Sequence, residues 1–424
     1  MANCAIVGIN WGDEGKGRMV DYFAAQYNVV VRYQGGNNAG HTVINQYGKN
    51  ALNLLPSGIF NEGTINLLGA GVVIDLKHLC EEIGRLREKG VHIGPDNLKI
   101  SDRAAMVLPM HPAQDKWEEI RLGNARYGST LRGISPIYGD VYMKKAIQMG
   151  DLKYPESLEK HLKTLVDFKN EVIVKGYGQE AIDYEETLNW IHTYGDALIP
   201  YICDAGELLE EAENAGKNIM FEAQLGALRD IHYGIYPYTS SSSSLAANAP
   251  LCCGLPSIKL DGVIGVTKAY STCVGEGPFV GELDGDAAHD LREAGAEYGA
   301  ATGRPRRVAW MDIVATRYGT QLQGATELAL TKMDVLSYLK EIPVCVAYKL
   351  NGKIIDRFPF TPDLYDCEPV YESLPGWNCD ISGARTWEDL PQEARDYVEY
   401  IEKRVGCPIK YVSVGAEREA LIVR

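Results

Sequence analysis

An apolar run, residues 4–7, and a β-branched run, residues 28–33, each break into a glycine-rich turn, and a helical stretch over about 18–26 joins them. The first turn sets Asp13, Glu14 and Lys16 among Gly12, Gly15 and Gly17. The second, residues 34–40, ends on Gly40 and His41. A strand, a glycine turn and a helix in that order aim backbone N–H groups at an anion. The strict phosphate-loop pattern puts a glycine five positions before the glycine of the Gly-Lys pair and a hydroxyl residue after the lysine. Here those places hold Asn10 and Gly17. The turn is therefore a variant, and on these residues alone a phosphate loop and a plain strand-to-helix turn both remain open.

The charge balance narrows what could bind. A formal charge of −15 argues against nucleic acid or an acidic membrane as the general partner. An anionic ligand must then be held by local donors: loop amides, Lys16 and an arginine cluster further on. The ten cysteines contain no C-x-x-C pair or zinc spacing and read as reduced core residues of a cytoplasmic protein. No basic and apolar leader opens the chain, and no apolar run approaches the roughly 18 residues of a membrane span.

Strands and helices alternate along the rest. Runs 51–55, 65–68, 98–101, 218–222, 262–270 and 328–331 read as strands. Residues 75–89 read as a helix capped by Asp75 and stopped by Gly90, and 151–217 as a helical insert. Residues 343–349 and 353–358 read as a hairpin across Asn351-Gly352. This alternation predicts an α/β fold around a mainly parallel sheet. We expect one large P-loop-like domain over 1–424, with the helical insert and late hairpin as elaborations, since no linker separates two balanced halves.

Four further constellations carry chemistry. Thr331-Lys332-Met333-Asp334 follows an apolar strand, and an x-K-x-D turn there can read guanine: one carboxylate accepts from both N1–H and the 2-amino group. A solvated turn is the alternative. Residues 299–307 read GAATGRPRR, with Arg304, Arg306 and Arg307 in four positions. Guanidinium forks suit carboxylate or phosphate, and a surface salt-bridge patch is the plainer reading. Residues 128–133, GSTLRG, form another hydroxyl-bearing turn followed by Lys144 and Lys145. The TSSSSS run at 239–244 lies between apolar and aromatic neighbours, which suits a buried loop better than a linker. His41 closes a turn without side-chain bulk and is read as facing a cavity. Asp13 could bind a metal, act as a base or pair with Lys16.

Together these motifs resemble the adenylosuccinate synthetase family over the whole chain. The resemblance is carried by Trp11-Gly12-Asp13-Glu14-Gly15-Lys16-Gly17, by residues 32–42, by Tyr236-Pro237-Tyr238, by residues 268–272, by Ala301-Thr302-Gly303-Arg304, by Thr331-Lys332-Met333-Asp334 and by Ser413-Val414-Gly415. It implies a GTP-driven ligase that joins IMP to L-aspartate through 6-phosphoryl-IMP. By the family mechanism, Asp13 takes the proton from N1 of IMP and His41 donates to the phosphate oxygens and the departing GDP. Mg²⁺ would sit on Asp13 and the Gly40 carbonyl. GTP would be held by Gly12, Glu14, Gly15, Lys16, Gly17, Gly40, Thr42, Arg306, Lys332, Asp334, Ser413 and Gly415. IMP would meet Asp13, Lys16, Asn38, His41, Thr130, Gln224, Ser240 and Arg304. Ala300, Thr302 and Arg304 would take the aspartate. The family is typically a homodimer in which one basic residue, Lys144 here, reaches the neighbouring subunit's IMP.

The chain departs from the family pattern at four places. Lys144 stands for an arginine, Ser240 for a threonine and Pro305 for a frequent arginine. The usual F-E-G-A-Q-G reads Phe221-Glu222-Ala223-Gln224-Leu225-Gly226, which displaces the glutamine by one. Two other readings compete. One is a paralogue aminating a guanine deoxynucleotide with aspartate; such relatives tend to lose the acid at position 13, which is present here. The other is a GTP-binding regulatory protein, in which the arginine cluster and the second glycine turn would have no role.

Overall fold

The fold grows outward from the first strand. The computed structural model describes residues 2–299, 303 and 305–424. Ten strands form its main sheet. In chain order they are β1 (Asn3–Gly8), β2 (Val29–Arg32), β3 (Ile65–Leu68), β4 (Leu98–Ser101), β5 (Ile202–Cys203), β6 (Ile219–Gly226), β7 (Gly262–Lys268), β8 (Glu327–Thr331), β9 (Ile409–Ser413) and β10 (Leu421–Val423). Across the sheet they run β10-β9-β8-β7-β1-β6-β2-β3-β4-β5. Every pair is parallel except β9 with β10.

A parallel sheet must be covered on both faces, so its central strands are apolar throughout rather than alternating. Side chains still divide by the two-residue period. Ala5, Val7, Val31 and Phe221 fill one core, while Cys4, Ile6, Val30 and Met220 fill another on the opposite face. Helix α1 (Lys16–Ala24) packs into the second through Met19, Val20 and Phe23.

The carboxyl ends of β1, β2, β6, β7, β8 and β9 all open on one edge of this sheet. The two glycine turns, Ala227, residues 269–273, Lys332 and residues 414–419 follow them there. In open α/β sheets ligands bind outside that edge.

Several sequence expectations need adjusting. Helix α1 begins at Lys16, inside the glycine turn. The run 51–55 is not one strand: Gly48–Leu52 pairs with His41–Asn45 as a hairpin, and Leu54 and Leu55 turn into the core. The helical excursion is wider than 151–217, because helices Met110–Leu122 and Ile134–Tyr142 precede it. Asp75 caps Leu76–Glu88 as expected, accepting from the His78 N–H at 3.0 Å. The late hairpin joins Glu341–Leu350 to Lys353–Ile355, with Asn351 and Gly352 both at positive φ. The ten cysteines are free; most are buried or half-buried, and Cys379 is exposed.

Candidate active site

The first turn is shaped by its own acid. The Glu14 carboxylate, 2% exposed, accepts from the N–H groups of Asn10 (3.1 Å) and Gly12 (2.8 Å) and from Lys16 Nζ (2.6 Å). It is sandwiched between Gly8 and Gly226, where an added Cβ would lie 2.6 Å from its oxygens. Glu14 therefore braces the turn, and anything it offers a nucleotide comes from its backbone. Gly12 (φ 105°) and Gly15 (φ 99°) take conformations that L side chains rarely adopt. Asp13 is also left-handed (φ 61°), and its carboxylate is a third exposed. Thr331, at the end of β8, pins the turn by donating to the Glu14 carbonyl at 2.7 Å.

His41 lies against the start of α1, so close that a Cβ on Gly17 would stand 2.6 Å from its own. Its Nδ1 is 2.6 Å from Glu222 Oε1. Glu222 also accepts from the Ser57 N–H (2.8 Å) and hydroxyl (2.6 Å). Burial pushes the His41 imidazole below its usual range, against the pull of Glu222. Burial would raise Glu222, but His41 and Arg32 outweigh it and hold the carboxyl down. A carboxylate at Nδ1 assigns the proton there and leaves Nε2 for the other side.

Arg32, fully buried and opposite Glu222 in the strand register, supports the second turn. It donates to the carbonyls of Gly36 (3.0 Å) and Asn53 and to the Gln224 side chain; the Gln224 amide in turn donates to Asn38. Asn53 donates to the Ala39 carbonyl at 2.6 Å, next to Gly40. Gln224, expected on IMP, is fully buried and bonded to Arg32 and Asn38. It sits so close to Gly35 that a Cβ there would meet its Cδ at 2.3 Å. Leu225, at φ 60°, lies against Gly12 instead.

At the first turn, Arg306 Nε stands 3.1 Å from Asp13 Oδ2, an ion pair without an aligned hydrogen bond. Its Nη1 is 2.6 Å from Glu297. Lys332 donates to the Gly295 carbonyl (2.6 Å) and Glu297 (3.0 Å), so its ammonium is anchored below the turn. Asp334 Oδ1 is buried with no partner, and burial raises its carboxyl. Ser413 and Gly415 complete this corner. Arg18 of α1 donates to the Ser413 hydroxyl and the Glu417 carbonyl, and Ser413 donates to the Gly415 carbonyl at 3.0 Å. Burial lowers the Arg18 guanidinium to about 10.

The arginine cluster divides. Arg306 reaches Asp13, whereas Arg307 braces a loop through Glu282 and the carbonyls of Gly275 (3.3 Å) and Gly277 (2.9 Å). Ala300, Thr302 and Arg304 lie outside the described residues. Thr130, Lys144 and Thr42 are exposed. The serine run is a part-buried loop: Ser242 donates to Gln34 (2.8 Å) and Ser244 to the Gly226 carbonyl (2.9 Å), while the Ser240 hydroxyl is buried without a partner. Sequence reasoning assigned no role to Glu222, Ser57, Arg18 or Glu297. Glu222 did carry a signal, because a carboxylate within a buried apolar strand requires a partner.

Among the described residues no helix is long and apolar enough to cross a membrane, and no three His, Cys, Asp or Glu side chains gather to hold a metal. Comparison with known proteins agrees with this geometry. The family model for adenylosuccinate synthetase matches residues 5–422. The adenylosuccinate synthetase of Caldanaerobacter subterraneus subsp. tengcongensis is 45% identical, covering 100% of this chain and 99% of its own. Adenylosuccinate synthetase 2 of Pseudoalteromonas translucida is also 45% identical, with both chains fully covered. The solved, fully ligated adenylosuccinate synthetase of Plasmodium falciparum superposes with a TM-score of 0.94 at 35% identity over 100% of both chains. The cyanophage S-2L succinoaminodeoxyadenylate synthetase bound to dGMP and dATP shares the fold alone, with a TM-score of 0.61 at 18% identity over 99% of this chain and 95% of that one. Two glycine turns at one sheet edge, an acid and a histidine at one helix start, and full-length matches at this identity leave one assignment: the chain belongs to the adenylosuccinate synthetase family.

Proposed function

We propose a set of residue roles for the reaction that this membership brings: GTP-dependent ligation of L-aspartate to IMP, yielding adenylosuccinate, GDP and phosphate in purine biosynthesis. The observation that carries them is the placement of Asp13 just before the α1 start and of His41 against its first turn, with the unpartnered Asp334 carboxylate oxygen on the same sheet edge.

In this reading Asp13 accepts the N1 proton of IMP, which turns the lactam oxygen into an effective nucleophile. The O6–Pγ bond forms as the bond from Pγ to the β-phosphate oxygen breaks, and GDP leaves. The aspartate amine then attacks C6, the C6–O6 bond breaks, phosphate departs and the amine loses a proton. Positioning and charge neutralisation carry most of such a transfer. Neutral His41, with its proton on Nδ1 toward Glu222, has none on Nε2. To donate to a phosphate oxygen it must become imidazolium, which Glu222 stabilises. The amides of Gly12, Glu14, Gly15 and Gly17, with Lys16, Gly40 and Thr42, receive the phosphates. Asp334 reads guanine, flanked by Lys332, Ser413 and Gly415. Asn38, Thr130, Ser240 and Arg304 hold IMP, and Ala300, Thr302 and Arg304 hold the aspartate.

Mg²⁺ fits the donor set: the Asp13 carboxylate and the Gly40 carbonyl are hard oxygens, and this ion typically takes few protein ligands beside substrate phosphates. When bound it would neutralise phosphate charge. We further propose that the chain acts as one domain, in the cytoplasm, and as a homodimer in which the exposed Lys144 reaches the neighbouring subunit's IMP.

The test is turnover with Mg²⁺, GTP and aspartate, offering IMP or dGMP in parallel. Succinylated product and GDP are expected from IMP alone. Product from dGMP instead would transfer the reading to the paralogue, and GTP binding without either product would remove the assigned roles.

A further inference from the structure

One buried carboxylate touches both ends of the site. Glu297 is 0% exposed and lies 2.9 Å from Lys268 Nζ, 3.0 Å from Lys332 Nζ and 2.6 Å from Arg306 Nη1, and the Tyr270 hydroxyl donates to it as well. These partners come from three places in the chain. Lys268 closes β7, Lys332 follows β8, and Arg306 precedes the strand Arg307–Ala309. Two of them continue outward. Lys332 belongs to the turn that carries Asp334, and Arg306 faces Asp13 through its Nε.

A buried anion among several cations is a strong organiser, because removing it strands like charges in a low dielectric. Burial would raise Glu297, yet Lys268, Lys332 and Arg306 outweigh it and keep the carboxyl well below its usual range. Burial lowers Lys268 to about 8, against the pull of the same carboxylate. No local sequence signal marks Glu297, since its partners lie up to 35 residues away.

We propose that Glu297 is a positioning residue that ties guanine reading to the readiness of Asp13, holding Lys332 under the guanine turn and Arg306 against the catalytic carboxylate. It touches neither nucleotide and acts through these two cations. The inference rests on the roles given above to Asp13 and Asp334, and wild-type turnover of IMP is the control that tests those roles separately.

The experiment compares E297Q, E297D and wild type for kcat, for KM of GTP, and for the ratio of kcat/KM with GTP to that with ITP, which lacks the 2-amino group. E297Q is expected to lower kcat at least about tenfold and to lower the GTP/ITP ratio in step, with partial recovery in E297D. A purely structural role would lower the melting temperature while leaving kcat and the ratio at wild-type values, and that result overturns the proposal. A double-mutant cycle with K332A separates the links: the double variant should raise the GTP KM no more than the worse single one, and additive losses would also overturn it. Should E297Q fail to fold, Y270F keeps the carboxylate and removes one donor. It should move kcat and the ratio together by a smaller factor, and movement of neither counts against the proposal.

Discussion

Asp13 and His41, the two residues proposed to act in catalysis, both lie at the start of α1 but are held in opposite ways. His41 is 7% exposed and bonded to a carboxylate that is itself fixed by a serine amide, a serine hydroxyl and a charged neighbour. Asp13 is a third exposed and faces Arg306 with charge but no aligned hydrogen bond. The histidine is set before any ligand arrives, while the acid keeps a partner it can exchange. That division suits the chemistry. A phosphate donor gains from preorganisation, whereas a base must be free to meet a proton that only the substrate brings.

The contrast can be broken most directly at its loose side. Asp13→Ala should cut kcat for IMP by ~10²–10⁴-fold and leave the melting temperature nearly unchanged, because no aligned bond is lost. Retained turnover would remove Asp13 as the base. At the fixed side the two effects should come together. Glu222→Gln should lower kcat at least about tenfold and destabilise the fold by about 1–3 kcal/mol, as buried donors lose a charged acceptor. Calorimetric unfolding beside steady-state kinetics checks both, and a variant with normal stability would show that His41 is not anchored there.

Asp334→Asn should raise the KM for GTP by about 10–10²-fold and that for ITP by less, since only GTP offers the 2-amino donor. Equal losses for both nucleotides would detach this carboxylate from the base.

His41 offers a finer test. Burial keeps its pKa below the 6.5 reference in the free protein, so it is neutral at pH 7. Triphosphate charge favours the protonated form and raises that pKa. GTP binding at pH 7 should therefore take up a fraction of a proton, seen as a binding enthalpy that changes with buffer ionisation heat. His41→Asn should abolish the difference.

A last comparison sets Glu222 against a buried acid whose charge no neighbouring cation stabilises. Asp312 accepts from Tyr348 and caps helix Ile313–Gln323, and burial raises it from 3.8 to about 6. Its folded pKa exceeds the unfolded one, so its stabilising contribution is complete below pH 3.8 and is lost as pH rises through 6. Relative to wild type, Asp312→Asn should gain stability across that window, by at most about 3 kcal/mol, as measured by denaturant unfolding at pH 4 and pH 7.

Local pattern was enough to place much of this machinery. Positive φ at Gly12 and Gly15 needs glycine whatever surrounds it, and the apolar runs of β1 and β2 have few other fates than a buried parallel sheet. An apolar strand followed by Lys332 and Asp334 likewise announces its turn. Boundaries were less legible, because the pull of tertiary packing ended the 51–55 run at Leu52 and sent Leu54 and Leu55 into the core. The glutamine shift at 224 was visible in the chain, but its consequence was not. Only the fold turns Gln224 inward to Arg32 and Leu225 toward Gly12.

The sequence by itself determined the glycine turns, the acid, lysine and histidine they carry, and the alternation that makes an α/β sheet, because backbone sterics and hydrophobic period act over a few residues. The tertiary structure decided which charges are spent and which are free. Glu14 turned inward, Arg306 was shared between Asp13 and Glu297, and Glu222 was set behind His41 across 181 residues of chain. Ion pairing in a buried site depends on distances between strand ends, and those are fixed only when the sheet has assembled.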